Sequence, residues 1–190
     1  MPEPLRIGIA LTGSFCTLNR VLSAIEPLKE QYALYPIMSP IVYNSDTRFG
    51  TASEFRARLE ALTGREIWHT IPQVEPIGPK KLLDALLIAP CTGNTLAKLA
   101  LGVTDTAVTM AAKSTLRNHR PIIIALSTND ALSGSAKNIG ALQSLRNYYF
   151  VPYGQDDAAQ NPRSCVPEME RIPETLAAAL RGEQIQPMLT

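Results

Sequence analysis

The chain has 190 residues, 45% of them hydrophobic and 18% charged, and a formal net charge of +1 at neutral pH. That length and balance describe a single globular domain over residues 1–190 and exclude an intrinsically disordered chain. Charges of both signs are mixed along the sequence, so no basic stripe points to nucleic acid or membrane, and no apolar run is long enough to span a bilayer.

Residues 1–6 lack a basic region followed by an apolar stretch, so no signal peptide is expected. Cys16, Cys91 and Cys165 lie far apart, an odd and sparse set that reads as reduced thiols in the cytoplasm. Fifteen prolines against 11 glycines imply many short, punctuated elements.

In chain order, residues 5–11 read as a buried strand and Thr12-Gly13-Ser14-Phe15 as a tight turn. A helix over 16–31 follows, with Leu18, Val21, Leu22, Ile25 and Leu28 at helical spacing and a kink or break at Pro27. A second strand covers 34–39, and a loop runs over 40–50. Thr51 with Glu54 is a capping box that starts a helix ending at Gly64, and 66–70 reads as a short third strand. The nearly continuous apolar run 84–90 is the pattern of a strand covered on both faces. Beyond it come a helix over 95–101 stopped by Gly102, and a helix over 105–120 capped by Asp105. A strand over 121–126, a helix over 135–145, a strand over 148–151, an irregular segment over 152–167 and a helix over 168–181 complete the chain. The alternation predicts one doubly wound, Rossmann- or flavodoxin-like three-layer α/β domain with a mostly parallel sheet of about six strands.

Ligands in such sheets bind beyond the carboxyl ends of the strands. Four strand ends carry small polar residues: Thr12-Gly13-Ser14 with Phe15, then Ser39, then Cys91-Thr92-Gly93-Asn94-Thr95, then Ser127-Thr128-Asn129. Each turn alone is also an ordinary helix start, since Ser, Thr and Asn cap helices. Their convergence on one edge would create an anion site of hydroxyls and backbone N–H groups. No glycine-rich dinucleotide or nucleoside-triphosphate signature occurs, and His69 and His119 stand alone, so no metal site is expected. Cys16 at a helix start lacks an obvious base, and Cys91 reads as a pocket-lining residue. Arg48 is either a surface partner of Asp46 or a guanidinium fork for a substrate carboxylate, with Asn129 and Lys137 as secondary candidates. Lys80 and Lys81 read as a solvated face. Gln155-Asp156-Asp157 reads as a polar turn that can also help close a pocket.

The segment Pro90-Cys91-Thr92-Gly93-Asn94-Thr95, with its flanks over 88–106, resembles the signature of the flavin-binding flavoproteins. These include cysteine-peptide decarboxylases, phosphopantothenoylcysteine decarboxylases and flavin prenyltransferases. Thr12-Gly13-Ser14 is similar to that family's phosphate turn. A closer resemblance, almost end to end, is to the family of dipicolinate synthase B subunits. It is carried by Asp46-Thr47-Arg48-Phe49-Gly50, Ser127-Thr128-Asn129-Asp130, Ala136-Lys137-Asn138-Ile139-Gly140 and Phe150-Val151-Pro152-Tyr153-Gly154.

That resemblance implies a sporulation enzyme of the mother-cell cytoplasm. With a separate dinucleotide-binding A subunit and NADP as electron acceptor, it would oxidise dihydrodipicolinate to dipicolinate. It also implies an FMN pocket built from the four turns and a homo-oligomer. The alternatives are an FMN-dependent decarboxylase-like enzyme and a non-catalytic stabilising subunit. The chain departs from the decarboxylases where their catalytic His matches Pro76, and where Ser127-Thr128-Asn129-Asp130 replaces their Pro-Ala-Met-Asn motif. It also lacks the arginine that prenyltransferases carry near the Ser127 position.

Overall fold

A strand with apolar side chains on both faces can satisfy its backbone and its burial only inside a sheet covered on both sides. The runs at residues 7–11, 85–91 and 122–126 meet that condition. In the computed structural model, which describes residues 3–190, they form the centre of the sheet. Met1 and Pro2, the start of the stretch read as leaderless, lie outside the described residues.

The elements are β1 (Arg6–Leu11), α1 (Leu18–Ile25), β2 (Ala33–Met38), α2 (Pro40–Asn44), α3 (Ala52–Thr63), α4 (Ile71–Val74) and β3 (Ala85–Cys91). There follow α5 (Gly93–Leu101), α6 (Ala107–Arg117), β4 (Ile122–Leu126), α7 (Ala136–Gln143), β5 (Tyr148–Phe150), β6 (Tyr153–Asp157), β7 (Asn161–Pro167) and α8 (Ile172–Leu180).

Five parallel strands form one sheet in the order β2-β1-β3-β4-β5, and β6 and β7 form a separate antiparallel hairpin. Alternate side chains of one strand enter opposite cores, as the two-residue period requires. Ile7, Ile9 and Leu11 join Leu87 and Ile123 against α1, α3 and α8. Ala10, Leu86, Ile88, Ile122 and Ile124 face Leu96, Val108 and Ile139 of α5, α6 and α7. The chain leaves β1 toward β2 on one side and β3 toward β4 on the other. The crevice between the carboxyl ends of β1 and β3 is therefore the switch point where such folds take ligands.

The three-layer α/β prediction is met, with five strands in the main sheet. The third strand expected over 66–70 is absent as a strand. Trp68 makes one parallel bridge to Ile37, and α4 follows at once. The loop 40–50 begins with a helical turn, α2, with Pro40 at its start. The helix expected over 16–31 ends as an α-helix at Ile25 and continues as a 3-10 turn containing Pro27. Thr106, not Asp105, caps α6, because Asp105 is drawn away by Lys98 at 2.9 Å. The segment read as irregular over 152–167 is the β6–β7 hairpin. The capping box of Thr51 and Glu54, the helix end at Gly64 and the left-handed stop at Gly102 stand as read, and Gly64 is left-handed too.

Candidate functional site

The polar turns after β1, β3 and β4 line one cavity of about 820 Å³ at the carboxyl edge of the sheet. Thr12, the first residue after β1, is buried and holds this edge together. Its Oγ1 donates to the Pro90 carbonyl at 2.7 Å and accepts from the Thr92 N–H at 3.1 Å. Pro90 has no N–H to give to β4, and the β3–β4 register shifts between Ile88 and Cys91. Ser14 Oγ lies 2.8 Å from Ser127 Oγ, bridging the β1 and β4 turns across the end of β3. Thr92 caps α5 by accepting from the Thr95 N–H.

Gly13, Ser14, Phe15, Thr92 and Asn94 line the cavity, as do Ser127, Thr128 and Asn129. Cys91, Thr95, Thr12 and Ser39 lie behind the surface. Cys91 is fully buried, and burial pushes its thiol up, so it is neutral and inert. Thr95 is spent on Thr92. Ser39 sits at the end of β2, its N–H donating to the Leu11 carbonyl, and its buried hydroxyl has no hydrogen-bond partner.

Arg48 lines the cavity and makes no ion pair among the described residues. Asp46, its expected surface partner, instead accepts from the Ala52 N–H at the start of α3. The Arg48 guanidinium lies 4.8 Å from the centroid of the Phe49 ring, which also lines the cavity. Lys137 is exposed and outside the lining, while its neighbour Asn138 faces in.

Sequence reading missed the α7 side and the roof. Asp130 and Ser135 line the cavity, and the hairpin adds Asp156, Ser164 and Val166. The hairpin reaches this position because the backbones of Thr128 and Cys165 exchange two hydrogen bonds. Only Gln155-Asp156-Asp157 signalled it, and these residues, read as a polar turn, are the end of β6, with the turn following at 158–160. Cys16 is exposed at the rim, 3.8 Å from Ser14 Oγ. His69 is not free: its ring stacks on that of Tyr43 at 3.6 Å, and Arg56 lies over the Tyr43 ring. Among the described residues no cluster of His, Cys, Asp or Glu can hold a metal, and no helix is long and apolar enough to cross a membrane.

Residues 1–180 match the family model described as Flavoprotein. The B subunit of dipicolinate synthase from Bacillus subtilis is 45% identical over 185 residues, covering 97% of this chain and 92% of that protein. The crystal structure of the dipicolinate synthase B subunit from Bacillus halodurans C superposes with a TM-score of 0.90 at 43% identity, over 99% of this chain and 97% of the other. The FMN-dependent cysteine decarboxylase SpaF shares the fold, with a TM-score of 0.64 at 20% identity over 93% and 97% of the two chains.

Proposed function

The chain belongs to the Flavoprotein family, and from that premise we propose that it is the B subunit of a dipicolinate synthase. In this reading it works in the cytoplasm of a sporulating cell with a dinucleotide-binding A subunit that brings NADP. The pair oxidises dihydrodipicolinate to dipicolinate. The ring gives a hydride equivalent to the nucleotide and a proton to water, and becomes aromatic. The observation that carries the reading is the end-to-end likeness to the Bacillus subtilis protein.

The cavity fits a flavin mononucleotide. Gly13, Ser14, Thr92, Asn94 and Ser127 offer hydroxyls, an amide and backbone donors for a phosphate and a ribityl chain. Phe15 and Phe49 give an apolar rim for a ring, with Ile41, 53% exposed, close to Gly13. The buried, unpartnered hydroxyl of Ser39 stands at the same edge. Bound flavin would supply a two-electron relay between the ring and the nucleotide, which stays the final acceptor. Arg48 is the group for a substrate carboxylate, and Asn129 supplements it from the opposite flank. Lys137, outside the lining, does not contribute. A homo-oligomer is part of the same reading.

Reconstitution tests it: the A subunit alone, this chain alone and both together, with and without added FMN, scored for dipicolinate. The reading expects product only, or much faster, with both present. Full activity of the A subunit alone would leave this chain a bystander. Arg48→Ala is expected to lower kcat/KM of the complex about 30-fold, equivalent to about 2 kcal/mol of transition-state binding. An unchanged kcat/KM would remove Arg48 from the substrate site.

A further inference from the structure

Asp130 is a cavity carboxylate that neither the four turns nor the substrate reading uses. It stands in the turn between β4 and α7, and its Oδ1 accepts from Thr128 Oγ1 at 2.6 Å and from Ser135 Oγ at 2.7 Å. Ser135 immediately precedes α7, and Gly93 is the first residue of α5. A Cβ on Gly93 would fall 2.6 Å from Ser135 Oγ, 2.7 Å from Thr128 Oγ1 and 2.9 Å from Asp130 Oδ1. The carboxylate therefore sits against the N-terminal ends of two helices, fixed by two hydroxyls. No side-chain donor reaches its Oδ2 among the described residues.

The hydrogen bonds from Thr128 and then Ser135 hold this carboxyl below the usual carboxylate range, against the opposing effect of burial, so it is ionised at neutral pH. Helix N-termini attract anions through their free N–H groups and dipoles. Here an internal anion already occupies the position. A second anion brought to the same place meets like charge. The cavity's positive side chain, Arg48, enters from the β2 flank, and Asp130 from the β4 flank. Asp156 adds negative charge from the hairpin.

We propose that Asp130 is a specificity-determining residue that orients the ligand. Its carboxylate fills the anion position at the α5 and α7 ends and turns the ligand's own anionic group toward the turn at Gly13 and Ser14, leaving Arg48 to the substrate. Its Oδ2 accepts from an N–H on the ligand's ring. The ligand class is a planar nitrogen heterocycle with a ring N–H at one end and a phosphate at the other. This rests on the cavity being the ligand site of the proposed function.

The test separates the two halves of such a ligand. Inorganic phosphate and riboflavin, which carries the ring without the phosphate, are each titrated by calorimetry into the wild-type chain and into Asp130→Asn. Phosphate is expected to bind the variant at least tenfold more tightly, because the internal anion is gone. Riboflavin is expected to bind the variant at least tenfold more weakly, because a charged acceptor is lost. Unchanged phosphate affinity overturns the proposal, and unchanged riboflavin affinity overturns the acceptor role. If the wild type binds neither riboflavin nor FMN, the flavin reading fails separately and the phosphate arm decides Asp130. Asp130→Ser, which leaves a hydroxyl beside Thr128 and Ser135, is expected to shift both affinities in the same directions and serves if the Asn variant does not fold.

Discussion

Gly93 opens α5 at the cavity floor, and the space where a side chain would stand is filled by oxygens of Ser135, Thr128 and Asp130. Backbone freedom is not the reason for glycine here; space is. Gly93→Ala would push a methyl group into a hydrogen-bonded carboxylate that cannot retreat without breaking its own bonds. The expected cost is about 1–3 kcal/mol in urea unfolding, the range for overpacking. Gly102 is the opposite case, with φ +71 and nothing within 4 Å, so Gly102→Ala is penalised by conformation, by about 1 kcal/mol. The thiols divide as sharply. Cys91 and Cys165 are buried, and burial pushes both thiols up, while Cys16 is exposed at the cavity rim. Iodoacetamide is expected to add once to the folded chain, at Cys16, and at all three cysteines in denaturant, as read by intact mass. Rapid labelling of Cys91 in the folded chain would contradict the packing of β3.

At the scale of elements, what local chemistry determines was legible and what distant pairing determines was not. The runs forming β1, β3 and β4 announce themselves because they are apolar on both faces and too short for a buried helix. The Thr51 capping box and the Gly102 stop act within one turn of helix. The β6–β7 hairpin gives no such signal: Gln155, Asp156 and Asp157 are exposed, and its place is set by Thr128, far away in sequence. Residues 66–70 have strand-like composition, yet only Trp68 reaches β2. The site divides the same way. Small polar residues at strand ends could be read as one edge, but Asp130 matters only because of what stands beside it in space.

The free edge of β5 is a further pairing invisible in sequence. Gln184 uses its side-chain amide as a strand, accepting from the Phe150 N–H and donating to the Phe150 carbonyl, both at 2.7 Å. Beyond it, Tyr153 of β6 exchanges backbone bonds with Met188 and Thr190. Removing two hydrogen bonds of ordinary strength predicts that Gln184→Ala loses about 2 kcal/mol. Amide exchange should quicken at Phe150 first. Unchanged protection there would mean water replaces the side chain without loss.

Across the whole molecule, the cavity and a half-buried ion cluster occupy opposite edges of one sheet. The cavity lies at the carboxyl ends of the strands, whereas Asp84 lies at the amino ends, 8% exposed, where it accepts from the Arg6 N–H at 2.9 Å and from Arg6 Nε at 3.2 Å. Arg120 approaches the same carboxylate at 3.4 Å. Burial alone would raise the Asp84 pKa, but the hydrogen bonds from Arg6 and the two guanidinium charges outweigh it and hold the carboxyl below its usual range. A carboxyl with a lower pKa when folded binds protons more readily when unfolded. Its stabilisation is complete above about pH 4 and is lost as pH falls through the folded value. The melting temperature is therefore expected to hold from pH 7 to about pH 5 and to drop below about pH 4. Asp84→Asn should lower stability by about 1.5–3 kcal/mol at pH 7, the value of hydrogen bonds to charged groups, and should flatten the acid limb. Because Asp84 belongs to the other edge, the variant should bind phosphate and riboflavin as the wild type does below its melting temperature. A change in ligand affinity would show that the amino edge reaches the cavity through the sheet. An unflattened acid limb would move the source of acid sensitivity to other carboxylates, of which Asp130, at the cavity itself, is the first to substitute.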